Sequence, residues 1–184
     1  MLGRAFRDYP TLRHLFPDSR TKAESLDHVM RFFLRCGLLH GEVLAPTSKL
    51  EAIAIWYRSN QLRLGLLDVL RAGVMSAFFG LGPSAFRRFK RLGDVKRVNR
   101  DETVNGDYWL LDVIGVGPAE AGRGHARRLI EPKLEQADRE RTMCYLETSH
   151  SKNIAMCEKF GFRLSRTYRF EGLESFCLQR TPSS

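Results

Sequence analysis

The chain has 184 residues, 43% of them apolar, and a formal net charge of +9. That length fits one domain, 1–184, with a hydrophobic core of its own. Four scattered cysteines, Cys36, Cys144, Cys157 and Cys177, form no CxxC pair and no Cys/His zinc spacing. They read as free thiols of a reducing, cytoplasmic compartment, with no metal site. The positive charge favours a polyanionic partner, whether nucleic acid, acidic membrane or a phosphate-rich cofactor, without choosing among them.

In chain order, MLGRAFRDYPTLRHLF shows no signal-peptide core and reads as short helical turns punctuated by Pro10 and Pro17. Residues 20–37 place Ala23, Leu26, Val29, Met30, Phe33 and Leu34 at helical spacing, with Gly37 as a stop. GEVLAP and LEAIAIWY read as two strands around PTSK. Asn60 would cap a long apolar helix to about Phe79. Its segment LRLGLLDVLRAGVMSAFFGLG holds Arg63, Asp68 and Arg71 within one membrane thickness, so it reads as buried, with no membrane partner. GLGPS breaks that helix, and Ser84 caps a second one over 85–98. The pair forms a helical hairpin over 60–98.

SAFRRFKRLGDVKRVNR carries seven Lys/Arg against Asp94. Phe86, Phe89, Leu92, Val95 and Val98 would face inward and the charges outward. No helix-turn-helix or RNP pattern supports nucleic acid as the partner, although a basic nucleic-acid or ribosome-associated module is an alternative reading. NRDETVNGD reads as a loop. YWLLDVIGV (108–116) is a continuous apolar run, as in a strand buried on both faces. GPAEAGRG is a loop, and Ala126, Leu129, Ile130, Leu134 and Ala137 mark one helix face that Pro132 should bend. MCYLETS is a strand, 153–160 a short helix stopped by Gly161, and FRLSRTYRF and LESFCLQR two strands around Glu171–Gly172. This order means a mixed sheet with helices packed on it.

A buried strand, a glycine-rich loop and a helix start form an anion site, because the first helical N–H groups lack partners and the helix dipole adds to their field. As a nucleotide P-loop the stretch GPAEAGRG fails, since Arg123 and Gly124 replace the Lys and the Mg²⁺-binding hydroxyl. As a dinucleotide loop, GRGHAR puts Arg127 where a third glycine should allow close packing, although Glu147 lies at a ribose-partner distance.

The pattern V-x-P-x-x-x-G-x-G-x-A, here Val116, Pro118, Gly122, Gly124 and Ala126, resembles motif A of the GNAT acyltransferases. CYLETSHSKNIAMCEKFGFRL resembles motif B of the same family. EPKLEQAD and RAFRDYPTLRHLFPD are similar to the puromycin N-acetyltransferase-like branch. Ala121 departs from the family's Gln or Arg at that position.

The resemblance implies an α/β GNAT fold: a central, mixed, mostly antiparallel sheet flanked by helices, with parallel strands 108–116 and 143–149 splayed apart. The family normally begins with a strand ahead of AFRDYP, so either Met1 is not the natural start or the first strand is absent, which would leave an edge for a homodimer partner to cover. The resemblance implies acetyl-CoA as co-substrate. Its pantetheine arm would pair with Ile114, Gly115 and Val116, and Asn153 would bond that arm or cap its own helix. Its phosphates would sit on the amides of Gly122, Arg123, Gly124, His125, Ala126 and Arg127. The reaction would be direct transfer of acetyl to a primary amine of a small molecule or peptide, in a ternary complex. The alternative is a catalytically degenerate acyl-CoA-binding protein.

Glu147 is the candidate base. Asp8, Glu171 and Glu174 are candidates for holding a cationic acceptor, and Trp56 and Tyr57 for lining its pocket. Cys157 stands where the family has the Tyr that protonates the leaving sulfur. Slow transfer without an acid, Tyr168 or Tyr145 in its place, and lost activity all follow from that exchange.

Overall fold

The computed structural model describes residues 1–16, 19–62 and 65–183, with the side chains at 19–24, 66, 76, 77 and 80 outside the description. The expectations for Pro17, Arg63 and the Ala23 side chain therefore lie outside the described residues. The elements are α1 (Leu2–Ala5), α2 (Pro10–Leu15), α3 (Ser19–His40), β1 (Glu42–Leu44), β2 (Ala52–Arg58), α4 (Leu66–Arg71), α5 (Val74–Thr103), β3 (Tyr108–Val116), α6 (His125–Arg139), β4 (Met143–Thr148), α7 (Lys152–Glu158), β5 (Arg163–Phe170) and β6 (Leu173–Arg180).

The six strands form one sheet in the order β1-β2-β3-β4-β6-β5. Every neighbouring pair is antiparallel except β3 and β4, which run parallel. This is the mixed, mostly antiparallel sheet expected. One face buries Leu12, Leu15, Leu26, Val29, Ile55 and Tyr145 under α1–α3 and α5. The other buries Trp56, Leu129, Ile130, Leu134 and Leu178 under α6 and α7. Trp56 and Tyr57 are therefore core residues, 0% and 5% exposed, and neither lines the cavity between β3 and β4.

Several boundaries differ from the sequence reading, each for a local reason. Helix α3 runs through Gly37 to His40. That glycine is a packing residue, since a Cβ there would lie 2.7 Å from Ile55 Cγ2. The helix expected from Asn60 is divided. Residues 59–61 form a 3₁₀ turn, and the Gly65 amide donates to Asp68 Oδ2 at 3.0 Å to start α4. Helix α5 is broken at Gly82, and Pro83, not a capping Ser84, opens its second part. Pro fits there because the first helical N–H has no intrahelical acceptor to lose. The same helix continues to Thr103 where a loop was expected, with Asn99 Nδ2 donating to the Val95 carbonyl. Asn99 is buried while Val98 is 46% exposed, so the inward face follows 85, 92 and 99. Helix α6 passes through Pro132 without a break.

Lys133 ties α6 to the edge of the sheet. Its Nζ donates to Glu42 Oε2 on β1 at 2.7 Å and lies 3.9 Å from the Trp109 ring centroid. At the far edge, Glu171 and Gly172 both have positive φ, 48° and 84°. This is the two-residue turn that matches the twist of a hairpin. All four cysteines are free and buried. Among the described residues, no helix is long and apolar enough to cross a membrane.

Candidate active site

Strands β3 and β4 pair only from Tyr108–Met143 to Leu111–Leu146. Beyond that point β3 continues to Val116 and β4 to Thr148 without meeting. Ile114, Gly115 and Val116 pair with β2 on one side, opposite Ala54, Ile53 and Ala52. Their other side faces the gap, where no ladder hydrogen bond uses their backbone groups. Gly115 also lets α1 approach, since a Cβ there would lie 2.8 Å from Leu2 Cδ2 and 2.9 Å from Phe6 Cε2.

A register shift in the β2–β3 ladder leads into the gap. Ile55 pairs with Val113 and Trp56 with Leu111, so Asp112 is the extra residue of a bulge. The bulge moves the face packed on α3 and α5 from Tyr108 and Leu110 to Val113. It also puts a carboxyl inside the fold. Burial pushes the Asp112 carboxyl up, against the opposing pull of Lys96 and Arg100.

The gap opens into a cavity of about 130 Å³. One wall is polar, with Tyr9, Lys96, Asp112, Glu147 and Asn153, and another is apolar, with Phe6, Leu12, Met30 and Phe33. Glu147 lies at the open end of β4 with its side chain 5% exposed. Tyr145 Oη donates to Glu147 Oε1 at 3.0 Å, and Tyr168 Oη donates to Glu147 Oε2 at 2.7 Å. Lys96 Nζ lies 4.0 Å from the same Oε2. Burial and the Glu147 charge push both phenols upward, so they remain hydrogen-bond donors.

The AFRDYP segment bears on this end of β4. Tyr9 Oη lies 2.8 Å from Thr148 Oγ1 and accepts from the Ser149 amide at 3.0 Å. Asn153 Nδ2 donates to Thr148 Oγ1 at 3.0 Å. Ser151 occupies the N-cap position of α7, so Asn153 is not the cap. Cys157 is on the inner face of α7 and borders the cavity. Burial pushes its thiol up to about 11. Asp8, Glu171 and Glu174 stand elsewhere, paired with Arg13, with His14 and Arg91, and with Arg169.

Gly122 and Gly124 carry φ of 80° and 77°, and a Cβ at either would meet nothing within 4 Å. Only glycine takes this backbone without strain, and the space above the loop is open. Among the described residues no backbone carbonyl accepts from the amides of Gly124, His125, Ala126 and Arg127, while the Arg128 amide starts the helical ladder on the Gly124 carbonyl. Open space over unpaired amides at the start of a 15-residue helix fits a pyrophosphate. The side chains beside the loop have partners of their own. Arg123 donates to Glu120 Oε2 at 2.9 Å, and His125 is turned inward with Nε2 3.4 Å from the same oxygen. Arg127 lies 3.4 Å from Glu131. Among the described residues no group of His, Cys, Asp and Glu is arranged to hold a metal ion.

Sequence reading missed Lys96, Asp112 and Tyr9 as site residues. Asp112 left a signal as the one charge in an apolar strand, and Lys96 follows Leu92 at i+4 on the inward face of α5.

This sheet, with two parallel strands parting over a glycine-rich helix start, is the fold of the GNAT acetyltransferases. The chain matches a Corynebacterium glutamicum structure, histone acetyltransferase HPA2 and related acetyltransferase, with a TM-score of 0.67 at 15% identity over 100% of this chain and 88% of that one. It matches arylalkylamine N-acetyltransferase 2 of Aedes aegypti with a TM-score of 0.57 at 12% identity, over 98% of this chain and 92% of that one. In sequence it is a distant relative of an uncharacterized N-acetyltransferase of Schizosaccharomyces pombe, 28% identical over 142 residues. The match covers 74% of this chain and 57% of the relative, so the chain spans little more than half that relative's length. No family model matches.

Proposed function

We propose that residues 1–184 are one acyltransferase unit that moves an acetyl group from acetyl-CoA directly to a primary amine, with both substrates bound together. The carrying observation is the parting of β3 and β4 after Leu111–Leu146, which opens on Glu147, in a chain where β3 leads through a glycine-rich loop to a helix start whose amides at Gly124–Arg127 have no backbone acceptor among the described residues. Acetyl-CoA supplies an activated acyl thioester. The backbone of Ile114, Gly115 and Val116 holds its pantetheine arm by strand addition. The helix-start amides hold its pyrophosphate.

An alkyl amine, with a reference pKa of about 10.4, is protonated at neutral pH and must lose a proton before it attacks. Glu147 takes that proton, oriented by Tyr145 and Tyr168. The free N–H groups on the gap side of β3 receive the charge that develops on the carbonyl oxygen. Cys157, kept protonated at neutral pH by burial, donates a hydrogen bond to the departing sulfur, which takes up the second proton that the amine nitrogen releases as the amide forms. The apolar wall of Phe6, Leu12, Met30 and Phe33 suits an amine on an alkyl or aryl group. The resemblance to the puromycin N-acetyltransferase-like branch adds aminonucleosides to the amines worth testing.

The test is release of free thiol from acetyl-CoA against a panel of primary amines, apolar ones first. Release with at least one amine is expected. Ala121 and the buried Cys157 favour a second reading, an acyl-CoA-binding protein without turnover. Coenzyme binding by calorimetry with no thiol release from any amine supports that second reading. Absence of coenzyme binding overturns both.

A further inference from the structure

Lys96 reaches from α5 into the cavity where the acceptor amine is to bind, and its ammonium lies 4.0 Å from Glu147 Oε2. Among the described residues it is the only lysine in the cavity lining. Its side chain is 33% exposed, against 70% for Lys90 on the preceding part of the same helix. The charged and titratable groups around it are Glu147, Asp112, Tyr9 and Arg100. A primary amine is thus already held beside the carboxylate assigned as base, as an external acceptor would be.

We propose that Lys96 is itself an acceptor: a self-acetylation site within the acceptor cavity, whose modification closes that cavity to external amines. The inference rests on the acetyltransferase reading. In the step, the Lys96 ammonium gives one proton to Glu147. The freed nitrogen forms a C–N bond to the acyl carbon of the acetyl thioester, the C–S bond breaks, and the sulfur leaves as thiolate and takes up a proton. One ammonium and one thioester become one amide, one thiol and one released proton.

Proximity favours this route, since an amine already held in the cavity 4.0 Å from the base is delivered to the thioester as an intramolecular partner. The two carboxylates also hold Lys96 charged, with their attraction outweighing its burial. This makes it a slower acceptor than a small amine free to lose its proton. Acetylation removes the positive charge between Asp112 and Glu147 and leaves a neutral amide in the cavity. An external amine bound at Glu147 competes with Lys96 and protects it.

The experiment incubates the full chain with acetyl-CoA and no amine, then follows each lysine by peptide mass mapping. Acetyl phosphate serves as a non-enzymatic donor. With acetyl-CoA, Lys96 is expected to gain an acetyl group at least ~10-fold faster than Lys90 or Lys152, a rate advantage of general-base and proximity origin. With acetyl phosphate, the exposed lysines react first. Glu147→Gln slows Lys96 by a similar factor and leaves Lys90 unchanged. Lys96→Arg, which keeps the charge, removes the modification. Lys96 modified no faster than Lys90, or equally fast in Glu147→Gln, overturns the proposal as chemical labelling. Lys96 unmodified while free amines are acetylated overturns self-acetylation and leaves the transferase reading standing. No modification and no thiol release with any amine overturns both.

Discussion

Tyr168 on β5 donates its hydroxyl to Glu147 on β4 across the whole width of β6. The reach is open because β6 presents Ser175 opposite Tyr168 and Cys177 opposite Glu147, two short side chains that let a phenol pass over them. Tyr168 thereby fixes the carboxylate toward the cavity from outside the pair of parting strands.

Replacing Glu147 with Gln is expected to lower kcat/KM by about 10²–10⁴, the ordinary range for a proton-transfer group. Tyr168→Phe should lower kcat by a smaller factor, about tenfold, with the KM for acetyl-CoA unchanged, because the carboxylate stays but is held less firmly. Steady-state kinetics in both substrates checks this. A rise in KM for acetyl-CoA with unchanged kcat would place Tyr168 in coenzyme binding instead.

Gly124→Ala is expected to weaken coenzyme A binding. An L-residue held at φ of 77° is strained, by roughly 1–2 kcal/mol. If the loop keeps its shape that strain falls on stability; if it relaxes, the amides turn from the phosphates and affinity drops about 5- to 30-fold. Calorimetry and thermal melts on the same variant read the two together. Unchanged affinity and melting would contradict the role given to this loop.

Cys157→Ala is expected to lower kcat at least ~10-fold without altering coenzyme affinity, since it removes a hydrogen-bond donor to the departing sulfur and not a binding contact. Coenzyme A is itself a thiol and leaves as thiolate more readily than an alkoxide, so the loss should stay at the low end of the general-acid range. Full activity in Cys157→Ala would remove the thiol from the mechanism.

Arg180 donates two hydrogen bonds to Asp138, both 2.7 Å, and the Ser183 amide adds a third. The guanidinium first, and the amide with it, holds the Asp138 carboxyl below the usual carboxylate range. The folded chain therefore binds this proton less readily than the unfolded chain, where the reference is about 3.9. The pair stabilises fully above that value, and its contribution is lost as pH falls through the lower folded value. Asp138→Asn should be less stable by roughly 1–2 kcal/mol at neutral pH, a modest figure for a side chain left 25% exposed. Its stability should fall less steeply than that of the parent below about pH 4. Urea unfolding across that range measures both.

Much of the site's frame could be read along the chain. The strand at 108–116, the loop at 117–124 and the following helix lie where the apolar run, the glycines and the helical period put them. Each of these signals is carried by residues within a turn or a pleat of one another. The same holds for the hairpin at Glu171–Gly172. The reading failed where long-range packing overrode a local signal. Gly37 has the local form of a helix stop but packs against Ile55, and residues 99–103 have the composition of a loop but continue α5 because Asn99 is buried.

Local sequence alone carries the strand–loop–helix with free amides, and it marks Glu147 and Cys157 as chemical groups. The bulge at Asp112, the inward turn of Lys96 beside Glu147, and the hold of Tyr9 on Thr148 and Ser149 at the end of β4 arise only in the folded chain. These contacts join residues far apart along the chain. A bulge is a property of two paired strands, and a buried charge cluster depends on α5, β3 and β4 meeting at one register. No local propensity encodes either, and the energy that fixes them comes from burial.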